Sequence, residues 1–148
     1  MFDKILVAID GSEMSRKAFE AALSIAKSNQ ARLTILHAGK EAVFSSSWIG
    51  GAMYIPQGQF AEMMEEVEKE GNKLLSHAKK LAEEAGVDAE TLYVKGDPAL
   101  TILEKGKAGG FKLIVVGSRG LSGIKEMMLG SVSHKVSQLA SCPVLIVH

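Results

Sequence analysis

The stretch Lys4-Ile5-Leu6-Val7-Ala8-Ile9-Asp10-Gly11-Ser12 carries an uninterrupted apolar run that stops at an Asp-Gly pair. A strand with one face in water would alternate apolar and polar residues, so the unbroken run indicates a strand buried on both faces. From about Glu13 to Lys27 the apolar residues recur at helical spacing. A buried strand followed directly by a helix is the start of a strand–helix–strand unit.

The same alternation continues along the rest of the chain. Five strands alternating with four helices predict an α/β fold, a doubly wound five-stranded parallel sheet with helices on both faces, because strand–helix–strand crossovers are right-handed. A chain of 148 residues is long enough to bury one core, and we expect one domain spanning 1–148. After the first strand and helix, the predicted strands lie at about 32–37, 91–95, 111–116 and 143–147, and the predicted helices at about 60–85, 98–108 and 131–140.

An irregular insertion at about 39–59 interrupts this rhythm. It is rich in serine and glycine and shows no sustained hydrophobic period. Connections of this length are typical of lids, binding loops or disordered segments. The pattern leaves open whether the insertion packs on the sheet, covers a ligand or binds a protein partner.

Charge and composition exclude two classes of partner. Lys plus Arg and Asp plus Glu each number 17, so the formal net charge is zero, and no basic stripe suited to nucleic-acid phosphates is present. No apolar run reaches membrane-spanning length. The amino terminus lacks the pattern of a signal peptide, and the single cysteine, Cys142, cannot form an internal disulfide. We therefore expect a cytoplasmic protein with no nucleic-acid and no membrane partner.

Two predicted strand ends have an unusual composition. Asp10-Gly11-Ser12 follows the first strand, and the fourth strand leads into a glycine-rich loop from Gly117 to Gly130 and then into Ser131-Val132-Ser133. Glycines let backbone N–H groups converge on an anion, and a helix start adds unpaired N–H groups and a partial positive charge. Ser131 as a simple helix cap, and glycines that only permit turns, remain alternatives. Their clustering at one strand end favours a phosphate site.

Three familiar phosphate-binding and phospho-acceptor patterns are missing. The chain has no G-x-x-x-x-G-K-[ST] loop and no G-x-G-x-x-G after the first strand. Asp10 has no second acidic residue beside it, as a response regulator would need. No G-x-S-x-G nucleophile motif occurs, and the four histidines are scattered without metal-ligand spacing, so we predict no catalytic residue and no protein-held metal site.

The motif Gly117-x2-Gly120-x9-Gly130-Ser131 resembles the G-x2-G-x9-G-[ST] pattern of the ATP-binding branch of the universal stress protein family. Three further stretches, at 5–12, 96–99 and 142–147, resemble the family's opening, its third-helix entry and its close, in the right order. The resemblance covers essentially the whole chain. It implies the strand order 3-2-1-4-5, ATP with Mg²⁺ near Asp10 as ligand, and a homodimer formed through the last strand.

The same resemblance implies a set of nucleotide-binding residues. The first strand's end and the residue after the second strand would flank adenine and ribose, while the fourth strand's end, its loop and the last helix start would meet ribose and phosphates. Arg119 as a solvated loop residue and Asp10 as a helix-capping carboxylate remain alternatives. The implied set is Ala8, Ile9, Asp10, Ala38, Val116, Gly117, Arg119, Gly120, Gly130, Ser131, Val132 and Ser133.

These observations favour a nucleotide-sensing stress-response module that acts as a homodimeric switch. Two alternatives are kept: an enzyme that hydrolyses ATP slowly, and a nucleotide-free protein that interacts through the insertion at 39–59.

Overall fold

The computed structural model describes residues 1–39, 57–120 and 128–148. The strands in these ranges form one five-stranded sheet in the order β3-β2-β1-β4-β5, and each neighbouring pair is parallel. The predicted doubly wound parallel sheet, and the strand order that the resemblance implies, are therefore confirmed. The strands are β1 (Lys4–Ala8), β2 (Arg32–Gly39), β3 (Ala89–Lys95), β4 (Leu113–Gly117) and β5 (Val144–Val147).

Helices cover both faces of the sheet. Side chains alternate along β1, so Ile5 and Val7 join one hydrophobic cluster and Leu6 joins the other. The first cluster includes residues of α1 and α2 and defines the α1/α2 face, and the second includes residues of α3 and α4 and defines the α3/α4 face. The helices are α1 (Glu13–Asn29), α2 (Gln57–Glu84), α3 (Pro98–Ala108) and α4 (Ser131–Leu139).

The strand order sets the position of the candidate site. β1 and β4 lie side by side in the centre of the sheet, and the chain proceeds from β1 towards β2 but from β4 towards β5. At such a switch point the two connections depart in opposite directions and leave a crevice at the carboxyl edge. The loops after β1 and β4 flank this crevice.

The predicted boundaries agree with the observed elements to within a few residues. β2 extends to Gly39 and α2 begins at Gln57, so the helix starts earlier than its hydrophobic period indicates. The rest of the predicted insertion, residues 40–56, lies outside the described residues. The predicted cap of α3 is present, since Asp97 Oδ2 accepts a hydrogen bond of 2.9 Å from Leu100 N, and Pro98 occupies the first helical position.

The apolar stripe that recurs at helical spacing along α2 is only partly buried. Leu75 and Ala78 are buried, but Met63 and Val67 are about two-fifths exposed. A helix of 28 residues is about 42 Å long, whereas a seven-residue strand spans about 23 Å. The first half of α2 therefore projects beyond the carboxyl edge of β3.

Within the described ranges no helix is both long enough and apolar enough to cross a bilayer.

Candidate functional site

The turn after β1 is fixed by Asp10 and two serines. Asp10 Oδ1 accepts a hydrogen bond of 2.9 Å from Ser12 N, and Asp10 N donates to Ser15 Oγ at 3.2 Å. Ser12 is the N-cap of α1 and accepts from Ser15 N, while Gly11 has a φ of +83° that favours glycine. The residue that caps the helix is therefore Ser12, and Asp10 orients the capping residue through its backbone.

Two glycines at the end of β4 permit close contact with this turn and with α1. A β-carbon on Gly117 would lie 2.9 Å from the carbonyl carbon of Met14. A β-carbon on Gly120 would lie 2.7 Å from Asp10 Oδ2. The structure thus brings Gly120 against Asp10, at the carboxyl ends of two neighbouring strands.

The start of α4 presents backbone N–H groups that have no partner among the described residues. Gly130 is the N-cap, and no side chain from the described part of the chain caps the helix. The first intrahelical bond runs from His134 N to Gly130 O at 3.0 Å, so the amides of residues 131–133 have no intrahelical acceptor. Ser131 is exposed and is the first helical residue, so it is not the N-cap that the sequence left as an alternative.

Ser133 lies in a different environment from Ser131. It is 2% exposed, and its hydroxyl donates to Ser118 O at 3.0 Å and to Gly130 O at 3.1 Å. Ser118 O also accepts from Gly130 N at 2.7 Å. The end of β4 and the start of α4 are therefore joined at one carbonyl oxygen, and the Ser133 hydroxyl proton is already engaged there.

The small apolar members of the predicted set share one side of the sheet. Their side chains belong to the α3/α4 cluster or pack against it; these are Ala8, Ala38, Val116 and Val132. Ile9 does not join them, because its side chain is 6% exposed within the α1/α2 cluster. Its backbone is also engaged, since Ile9 N donates to Leu36 O at 2.9 Å and Ile9 O accepts from His37 Nδ1 at 2.7 Å.

Charged groups of both signs flank the crevice. Arg119 Nη2 contacts Met14 Sδ at 3.8 Å, which places the guanidinium beside the first turn of α1. Asp10 supplies the negative charge. Among residues 1–39, 57–120 and 128–148, no three His, Cys, Asp or Glu side chains form a cluster that could hold a metal ion. A cation in this crevice would need ligands from a bound anion as well.

Fold and site together define an α/β domain in which glycines, small apolar side chains and the start of a helix come together at the carboxyl edge of a parallel sheet. Small apolar side chains on one face and unpaired amides at the start of α4 suit a ligand with a flat apolar part and an anionic part. The model of the universal stress protein family matches residues 1–148. The chain belongs to the universal stress protein family.

Relatives of known sequence and structure agree with this assignment. Universal stress protein YxiE of Bacillus subtilis is 60% identical over 147 residues, covering 99% of both chains. A universal stress protein solved in complex with cAMP is 30% identical, with a TM-score of 0.71 over 99% of this chain and 97% of that one. A family member from Arabidopsis thaliana with AMP bound is 26% identical, with a TM-score of 0.69 over 97% and 90% of the two chains.

Some residues that shape the site are absent from the predicted set. Ser118 acts through its main chain, His37 holds Ile9 O, and Met14 contacts both Gly117 and Arg119. The position of Ser118 inside the glycine motif is a signal in the sequence. The contacts of His37 and Met14 arise between separate elements, and no local pattern indicates them.

Proposed function

We propose that the chain binds an adenine nucleotide at the carboxyl edge of the sheet, with ATP as its ligand, and acts as a regulatory module in a stress response. The observation that carries the proposal is the start of α4, which has no side-chain cap among the described residues and is held to the end of β4 by the bond from Gly130 N to Ser118 O. Two structural neighbours that hold cAMP and AMP support adenine as the base.

Each part of the nucleotide would contact residues of matching chemistry. The apolar groups on the α3/α4 face would contact adenine, and Asp10 with the end of β4 would contact the ribose. The loop and the start of α4 would receive the phosphates through backbone amides and the exposed Ser131 hydroxyl. The proposed set is Ala8, Ile9, Asp10, Ala38, Val116, Gly117, Arg119, Gly120, Gly130, Ser131, Val132 and Ser133. Ser133 would act through its backbone N–H. Ile9 would act only through main-chain van der Waals contact, because its N–H and carbonyl oxygen are already hydrogen-bonded.

We assign Mg²⁺ a place between the phosphates and Asp10. Asp10 Oδ1 is occupied by Ser12 N, so the ion would approach from the side of Oδ2, which faces Gly120. Phosphate oxygens and water would supply the remaining ligands, as is usual for Mg²⁺ bound with nucleotides.

The proposed switch is a homodimer formed through β5. This strand is the edge of the sheet beside β4, and its four residues are apolar and only partly buried. An apolar edge strand of this kind is a ready site for association with a second copy. The β5 residue Val147 accepts a hydrogen bond from Ser118 N at 2.8 Å, so nucleotide at the loop and pairing at β5 share one junction. The single thiol fits a cytoplasmic location.

The decisive experiment measures nucleotide released by heat from freshly purified protein, followed by calorimetric titration of nucleotide-free protein with ATP, AMP and cAMP. We expect ATP to be released and to bind with the lowest Kd. Preferred binding of AMP or cAMP would contradict ATP as the ligand, and binding of none would contradict the proposal and favour a nucleotide-free interaction protein. Multiple turnovers of ATP would favour a slow ATPase.

Sedimentation of the same samples tests the switch. The monomer–dimer equilibrium should shift when ATP is added, and Ile146→Lys, which places a charge on the apolar edge strand, should abolish the dimer. A dimer that is insensitive to ATP would contradict the switch and leave nucleotide binding intact.

A further inference from the structure

The backbone of Ser118 joins the end of β4 to β5 and to the start of α4. Ser118 N donates to Val147 O in β5, while Ser118 O accepts from Gly130 N at 2.7 Å and from Ser133 Oγ at 3.0 Å. Both ends of the loop between 118 and 130 therefore meet at this one residue. We propose that Ser133 is a positioning residue, which holds the start of α4 against the end of β4 so that the free amides face the crevice. The proposal deepens the nucleotide site and rests on that function.

A direct role of the Ser133 hydroxyl at a phosphate conflicts with its hydrogen bonds. A serine hydroxyl has one proton to donate, and a phosphate oxygen requires a donor. Here the proton lies between two carbonyl oxygens, and the residue is 2% exposed. Ser131, exposed and one position inside the helix, is free of these constraints. The two serines at the start of α4 thus have different roles: Ser131 would contact the ligand, and Ser133 holds the backbone of the helix start in place.

Ser118 contributes through its main chain alone. Its Oγ is buried and, within the described residues, has no hydrogen-bond partner. Removing a buried hydroxyl that has no partner costs no hydrogen bond. Ser118→Ala should therefore leave the junction intact, in contrast to Ser133→Ala.

Ser137 provides a matched control on the same helix. Its hydroxyl donates to His134 O at 2.7 Å, three residues back, just as Ser133 Oγ donates to Gly130 O. Ser137 is exposed and makes no hydrogen bond to another element of the described chain. The comparison of Ser133→Ala with Ser137→Ala isolates the bond from Ser133 to Ser118 O.

The test uses the full chain with and without MgATP. Amide hydrogen exchange of Gly130 N–H is measured by NMR in nucleotide-free protein, and the Kd for MgATP by calorimetry. Loss of one hydrogen bond should speed Gly130 exchange about fivefold to tenfold in Ser133→Ala and raise the Kd by a similar factor. Ser118→Ala and Ser137→Ala should remain within about twofold of wild type on both measures.

Rescue by a residue that keeps the hydroxyl separates positioning from general packing. Ser133→Thr should restore Gly130 exchange and Kd to near wild-type values. If its extra methyl prevents folding, Ser133→Cys, with a weaker donor of similar size, should give values between those of serine and alanine.

Two results would overturn the inference. A raised Kd in Ser133→Ala with unchanged Gly130 exchange would mean that the hydroxyl contacts the nucleotide directly. Unchanged values on both measures would mean that it has no role. If the wild-type protein binds no nucleotide, the proposed function is refuted, and Ser133 has no role in binding. The exchange rate of Gly130 would then still decide whether Ser133 holds the start of α4 in place.

Discussion

Asp10 Oδ2 lies 2.7 Å from the point that a β-carbon on Gly120 would occupy, although the two residues are 110 positions apart in the chain. The contact joins the loop after β1 to the loop after β4 across the switch point of the sheet. Glycine is required at 120 because of space, since any side chain would press on the carboxylate.

Gly120→Ala should weaken adenine-nucleotide binding without unfolding the domain. The added methyl would displace the Asp10 carboxylate, which we place at the nucleotide, so we expect the Kd to rise by roughly fivefold, which corresponds to about 1 kcal/mol. Overpacking of about 1 kcal/mol would also lower the melting temperature by about 2–4 °C, which leaves the domain folded. Gly58→Ala is the control, as a β-carbon there meets nothing within 4 Å. Equal Kd values for the two variants would contradict the contact.

The sequence predicts the elements of this fold better than their contacts. The buried strands are clear because unbroken runs such as Ile5 to Ile9 exist only when both faces of a strand are covered. Local patterns do not specify strand order, and only the family resemblance implies the order 3-2-1-4-5. The glycine motif predicts a phosphate site, and this stays a prediction. The engagement of Ser133 with Ser118 O depends on how α4 meets β4, which is a tertiary contact.

The exposure of the first half of α2 could not be predicted for a related reason. Hydrophobic period shows which side of a helix is apolar, but not where the supporting sheet ends. Glu68 pairs with Lys95 at the last residue of β3, so Met63 and Val67 lie beyond the strand.

Gly71→Ala should destabilise the domain even though it lies inside a helix. Alanine gains about 1 kcal/mol over glycine in a helix interior. At this position, however, its β-carbon would lie 2.5 Å from Tyr93 Cε2 and 2.9 Å from His37 Cδ2. Both rings pack under α2, so overpacking of about 1–3 kcal/mol should exceed the gain. Urea denaturation should show a net loss of about 1 kcal/mol in the free energy of unfolding.

The same measurement on Gly58→Ala distinguishes the two effects. That glycine also lies in α2 but has open space around the β-carbon position, so only the helix preference applies. We expect no loss of stability in Gly58→Ala. A gain of stability in Gly71→Ala would show that the two rings move aside at little cost.

Cys142 should react slowly with alkylating reagents. Burial raises the pKa of its thiol, which lowers the fraction of reactive thiolate near pH 8. The folded state therefore favours the neutral thiol, and the associated stability is present at neutral pH and decreases as the pH rises from the ordinary pKa through the raised one. Mass spectrometry after iodoacetamide treatment should show modification rising at a higher pH than in urea-unfolded protein. Identical pH profiles would contradict the burial of this thiol.

Asp10→Asn should change nucleotide binding in opposite ways with and without Mg²⁺. The amide oxygen can still accept from Ser12 N, so the turn after β1 is kept and only the charge is lost. Without Mg²⁺ the carboxylate repels the phosphates. Two charges about 5 Å apart in water interact by about 0.8 kcal/mol, so the variant should bind ATP about fourfold more tightly. With Mg²⁺ the carboxylate helps to hold the ion, so the variant should bind more weakly than wild type.

Asp88→Asn is the control, because Asp88 is exposed at the amino end of β3, far from the crevice. Calorimetric titrations of the three proteins in EDTA and in Mg²⁺ would give the Kd values. If wild type and Asp10→Asn kept the same order of affinity in both buffers, Asp10 would have no place in the proposed Mg²⁺ site.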